Sequence, residues 1–203
     1  MSAGRVDAQS SSSSDPSEFE LPPPPSDHGT QLAGEARLDV VFPLAQGRLC
    51  PPGELCVFGG GGGVAGLLEW RYPSGLGLGV GYDAWFLDGN GVHELSTMQA
   101  VRFSVRRFFM KEREVHPFIG GAVGALLFGD TFRRNAFGGL VDLVVGFEVE
   151  ISPTLAFTAG VMVRLFSTTE FESRSDGVIR GERFGVDGAA ALQVGLVLLQ
   201  PSS

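Results

Sequence analysis

A chain of 203 residues is long enough for one domain of ordinary size. Only 19% of it is charged while 30 residues are Gly, which is low charge and about twice the usual glycine for a soluble domain. The formal net charge of −8, with Lys111 the sole lysine, argues against a nucleic-acid partner, because phosphate binding needs clustered cations.

Residues 1–33 read as a disordered leader. A serine run occupies 10–14 and a proline run 22–25, and neither can bury a core. A plain flexible tail is the preferred reading over a spacer or tether. The chain opens without an apolar signal segment, which leaves three readings: a mature or engineered chain, a misplaced start, or a soluble protein.

From Gly34 onward apolar residues recur with a period of two, the signal of a strand. The first strand is predicted over 36–44, with Leu38, Val40, Phe42 and Leu44 on one face and Arg37 and Asp39 on the other. The second covers 57–72, with Val64, Leu68, Trp70 and Tyr72 against Glu69 and Arg71. The third, 75–87, sets Leu76, Leu78, Val80, Tyr82 and Ala84 against Asp83 and a row of glycines. The fourth, 93–108, sets Leu95, Val101, Phe103 and Val105 against Glu94, Arg102 and Arg106.

The fifth, 115–128, sets Ile119, Val123, Ala125 and Leu127 against His116 and small residues. The sixth, 137–151, sets Val141, Leu143, Val145, Phe147, Val149 and Ile151 against Asp142, Glu148 and Glu150. The seventh, 154–166, sets Leu155, Phe157, Val161, Val163 and Leu165 against Thr158 and Arg164. The eighth, 184–199, sets Val186, Leu192, Val194, Leu196 and Leu198 against Asp187 and Gln193.

Short turns are expected at 73–74, 111–114 and 152–153. Longer connections are expected at 45–55, 88–92, 129–135 and 167–183. Short turns at one end and long loops at the other, with both termini on the short-turn side, is the arrangement of bacterial outer-membrane barrels. No stretch reaches the ~20 apolar residues of a spanning helix. A membrane span must then be built from strands, and strands cross a bilayer only as a closed barrel.

Sidedness separates this reading from a soluble barrel. One face carries large apolar residues. The other carries Gly, Ala and Ser with single charges between them. Side chains converge inside an eight-stranded barrel, so the small residues belong inside and the bulky ones outside. The lumen is then expected to hold a paired-charge network of Arg37, Asp39, Glu69, Arg71, Asp83, Glu94, Arg102, Arg106, Asp142, Glu148, Glu150, Arg164 and Asp187. Phe42, Phe58, Phe86, Phe128, Phe137, Phe166 and Phe184 are expected as the girdle at the long-loop end. Trp70, Tyr72, Phe108 and Phe109 are expected as the girdle at the other.

The chain resembles the OmpA/OmpX-like eight-stranded outer-membrane proteins over 34–199. The resemblance rests on this architecture and on the aromatic-glycine strand His116-Pro117-Phe118-Ile119-Gly120-Gly121-Ala122-Val123-Gly124. It implies an all-β, up-and-down transmembrane barrel domain at 34–203, in contact with outer-membrane lipid. One departure is the C-terminus, Leu198-Leu199-Gln200-Pro201-Ser202-Ser203, which lacks the final aromatic that the assembly machinery reads in such barrels.

The remaining motifs are weak. Gly59–Gly63 lacks the Lys-Ser/Thr of a phosphate loop. His93 and Ser96 are three apart and, on one strand, would face opposite ways, which disfavours a lipid-modifying dyad. His116 reads as a lumenal polar residue. Cys50 and Cys56 form a candidate disulfide in an oxidising compartment, with no metal set beside them. The expectation is a non-catalytic monomer of the bacterial outer membrane with no cofactor. It would have a structural or surface-interaction role, with loop 167–183 offering a surface for a ligand or protein. The alternatives are a narrow pore for small solutes, a lipid-modifying enzyme, and a soluble lipocalin-like binder.

Overall fold

The alternating segments become strands β1 (Gln31–Ala45), β2 (Gly61–Arg71), β3 (Leu76–Leu87), β4 (Ser96–Phe108), β5 (Val115–Asp130), β6 (Arg133–Ser152) and β7 (Leu155–Thr168). The two-residue strands β8 (Phe171–Glu172) and β9 (Ile179–Arg180) follow, and β10 (Asp187–Pro201) ends the series. The computed structural model describes residues 29–45, 47, 49–109, 114–131, 133–181 and 185–201. The segment 1–28, most of the turn at 111–114, and Phe184 lie outside the described residues.

Eight strands close into an antiparallel barrel in the order β1-β10-β7-β6-β5-β4-β3-β2, and β8 pairs with β9 as a separate hairpin. Among the described residues no helix is long and apolar enough to cross a membrane. The turn between β2 and β3 is tight: Gly75 donates to the Tyr72 carbonyl at 2.8 Å and has φ +86°, a conformation glycine adopts without strain.

Several boundaries differ from the sequence expectation. β1 begins at Gln31, inside the segment read as leader. β2 begins at Gly61, so 57–60 belong to the preceding connection. β5 and β6 run on to Asp130 and Arg133, which reduces the loop expected at 129–135 to a tight link. The hydrophobic period marks where a wall faces lipid. It does not mark where backbone pairing stops.

The two faces are sharply different. On β6, Leu143 is 65% exposed and its neighbour Asp142 is 1% exposed. Val141, Val145 and Phe147 are exposed with Leu143, and Leu140, Val144 and Glu148 are buried with Asp142. The same alternation runs along β1, where Leu38 and Val40 are exposed while Arg37 and Asp39 are buried. A soluble lipocalin-like barrel would have the opposite sidedness, an apolar lumen and a polar wall, so that alternative fails. A continuous exposed belt of Leu, Val, Ile and Phe has lipid as its solvent.

Candidate functional site

The lumen is built in two regions. In the middle and toward the short-turn end, charged side chains cross it. Asp83 on β3 accepts from Arg37 Nη2 at 3.1 Å and from Arg164 Nη2 at 2.6 Å, and Arg102 Nε lies 2.9 Å away. Arg164 also grips Asp142 with Nε and Nη2, both at 2.8 Å. Arg37 Nε donates to Asp39 at 2.9 Å. The other Asp39 oxygen accepts from Trp85 Nε1 at 2.9 Å, and the Arg164 guanidinium stacks 4.3 Å above the Trp85 ring.

A second tier lies nearer the short turns. Arg106 donates to Glu35 at 2.6 Å. Arg71 holds Glu69 with Nε at 2.7 Å and Glu148 with both terminal nitrogens at 2.6 and 2.8 Å. Arg37 Nη1, 3.7 Å from Glu35, links the tiers. Phe108 and Phe118 lie under the guanidinium groups of Arg71 and Arg106. In the barrel order, β7 lies opposite β3 and β2 opposite β6. The Arg164–Asp83 and Arg71–Glu148 pairs therefore span the diameter.

Glycine makes room for these groups. A Cβ on Gly77 would sit 2.7 Å from the Glu69 carboxyl carbon, and one on Gly63 would run into the Trp85 ring.

The residues named from the sequence fall as follows. Arg37, Asp39, Glu69, Asp83, Arg102, Arg106, Asp142, Glu148, Arg164 and Asp187 are buried in the barrel, with Arg71 and Glu150 half-buried at its short-turn mouth. There Glu150 lies 3.2 Å from His116. Glu94 is a correction. It precedes β4 and is exposed on the connection from β3, where strand alternation no longer fixes its direction. Glu35 was missed because the first strand was started at 36; it shares the inward parity of Arg37 and Asp39.

The long-loop end of the lumen is apolar. Leu49, Val57, Phe58 and Trp85 are fully buried, packed with Leu87, Met98, Phe128, Met162, Phe166 and Phe171. Phe58 meets Phe166 edge-on at 5.3 Å, and Phe128 meets Phe171 at 5.9 Å. Phe58, Phe128 and Phe166 are thus plug residues and not girdle residues, and Phe108 is buried at the other end. Phe42 and Phe137, with Trp70, Tyr72 and Phe109, are exposed on the wall.

Above the plug the loops are tied together. Cys50 and Cys56 form a disulfide in the β1–β2 connection. Asn90 Nδ2 donates to the Cys56 carbonyl at 3.0 Å, Ser96 Oγ to the Val57 carbonyl at 2.5 Å, and Arg180 Nη2 to the Leu55 carbonyl at 3.0 Å. Arg180 is buried and held by both Asp176 oxygens at 2.9 and 2.6 Å. That guanidinium holds the Asp176 carboxyl down at about 2. The loop after β7, expected from sequence to offer a surface for a ligand or protein, folds into the β8–β9 hairpin and places Phe171 in the plug.

His93 and Ser96 do meet, with Nδ1 and Oγ 2.9 Å apart, because His93 lies before the strand and strand alternation does not govern it. The Ser96 hydroxyl proton is directed at the Val57 carbonyl, so its oxygen accepts from His93. A base activating a serine needs the reverse donation. Burial also pushes the His93 imidazole below its ordinary pKa.

Eight antiparallel strands closed into a barrel and an inside-out sidedness decide the architecture. The fold is that of the small outer-membrane β-barrels. Solved structures of this type share it. Neisserial surface protein A aligns with a TM-score of 0.59 at 11% identity, covering 84% of this chain and 96% of that one. Outer membrane protein OprG from Pseudomonas aeruginosa gives 0.56 at 10% identity, with 86% and 98% covered. Outer membrane protein AlkL, solved in DMPC bilayers, gives 0.57 at 11% identity, with 100% and 98% covered. No family model matches the chain, and no curated protein matches it.

Proposed function

We propose that this outer-membrane barrel is a closed scaffold that displays an ordered crown of loops at the cell surface, and that it neither conducts nor catalyses. The observation that carries this reading is the filling of the lumen. Diameter-spanning ion pairs lie beneath an aromatic plug, so the loops carry the chemistry that a soluble partner can reach. Long loops face outward and short turns inward in barrels of this class. The loop order supports surface interaction physically, since a surface already fixed loses little conformational freedom on binding. The charged lumen supports the narrow-pore alternative in composition, but its charges are spent on one another.

Purified protein in planar bilayers is expected to be silent, and discrete conductance steps would overturn the closed reading. A short epitope inserted after Arg174, on the exposed part of the loop, is expected to be stained by antibody on intact cells. Staining only after permeabilisation would reverse the orientation.

A further inference from the structure

The disulfide loop is the piece on which the other loops hold. Its two feet, Leu49 and the Val57-Phe58 pair, are fully buried in the mouth of the barrel, and Val57 N donates to the Leu49 carbonyl at 3.3 Å. Between the feet, Cys50 and Cys56 are half-buried against the plug. Three side chains from elsewhere in the chain grip this loop, and all three take backbone carbonyls within 55–57: Asn90 at Cys56, Ser96 at Val57, and Arg180 at Leu55. Two of these acceptors lie within the ring that the cysteines close and the third directly follows it. Trp85, directly beneath, is held by Asp39 and Arg164 from the strands and does not depend on the loop.

We propose that the Cys50–Cys56 bridge is a redox latch on the plug, and that its reduction by a small dithiol frees the loop and opens the outer end of the lumen down to Trp85. In the chemical step a dithiol thiolate attacks one cysteine sulfur, breaking the Cys50–Cys56 bond, releasing the other cysteine as a thiolate and forming a mixed disulfide. The second thiolate of the reagent then attacks the reagent's own sulfur in that mixed disulfide, closes the reagent's ring and releases the attacked cysteine. Two electrons and two protons pass to Cys50 and Cys56, which become thiols, and the reagent leaves as a cyclic disulfide. Cross-linking a short ring restricts the open loop far more than the closed one, so cutting it shifts the loop toward open states. The strand network beneath is held by its own ion pairs and hydrogen bonds and stays in place.

The test uses full-length protein carrying Trp70→Phe, refolded into lipid vesicles, so that Trp85 is the one remaining tryptophan. Iodide in the outer solution reads its accessibility, before and after a dithiol, with thiol labelling to confirm reduction and gel mobility without boiling to confirm a closed barrel. The oxidised protein is expected to be protected, and reduction is expected to raise the quenching constant about threefold or more, as a buried ring becomes reachable by local opening. The Cys50→Ser/Cys56→Ser variant is expected to match the reduced protein and to ignore the dithiol. Unchanged quenching in fully reduced, closed barrels would overturn the proposal. Loss of the gel shift on reduction would overturn it as well, because the bridge would then hold the barrel and not the plug.

Discussion

The two ends of the lumen solve one packing problem by opposite means. The long-loop end is filled by rings and aliphatic chains around Phe58, Trp85, Phe128 and Phe166. The middle and short-turn end is filled by arginines and carboxylates that contact one another across the diameter. Apolar filling is tolerant, because losing one contact leaves a void that neighbours partly close. Charged filling is close to all-or-none, because losing one partner leaves buried charge unmatched. The plug is therefore the place where this barrel can afford to move, and the ion pairs are where it cannot.

The largest expected effect breaks the charged side. Asp83→Ala strips one carboxylate from Arg37, Arg102 and Arg164 together. It should cost about 4 kcal/mol, in the range for breaking a buried pair, in urea unfolding from lipid vesicles followed by gel mobility. Next comes the wall. Leu143→Arg, at one of the most exposed positions of the apolar belt, should cost roughly 3 kcal/mol in the same assay if the solvent is lipid. On a water-facing wall it would cost nothing measurable.

Phe58→Ala should weaken the plug by about 2 kcal/mol, below the cost of emptying a rigid core because a loop can settle. Hydrogen exchange should show that loss in 49–58 and leave β6 protected. The smallest effects are with pH. The lowered carboxyl of Asp176 supports the β8–β9 hairpin above its ordinary value of 3.8, and that support is lost as pH falls through about 2. The lowered imidazole of His93 supports the closed mouth above its ordinary 6.5, and this support declines as pH falls below that value. Resonances of loop residues should move in these windows.

Much of this contrast was legible in the sequence. Alternation in β6 alone states which residues face lipid, and the scattered charges on the glycine-bearing face locate the ion pairs. The aromatic plug was not legible in the same way. Phe166 shares the parity of Arg164, and Phe128 the parity opposite to Leu127, yet their level near the long loops made them look like girdle rings. Level and parity are independent, and parity decides. The Arg180 grip, the His93–Ser96 contact and the exposure of Glu94 depend on loop conformation, which no period encodes.

The sidedness that supports the whole account can be read from the two tryptophans, since Trp70 is 46% exposed on the wall and Trp85 is fully buried in the lumen. In vesicles of lipid brominated along its acyl chains, the Trp85→Phe protein, which retains Trp70, should be strongly quenched. The Trp70→Phe protein, which retains Trp85, should keep nearly all its emission. Equal quenching of the two, or quenching of Trp85 alone, would contradict a barrel with its charges inside and lipid outside.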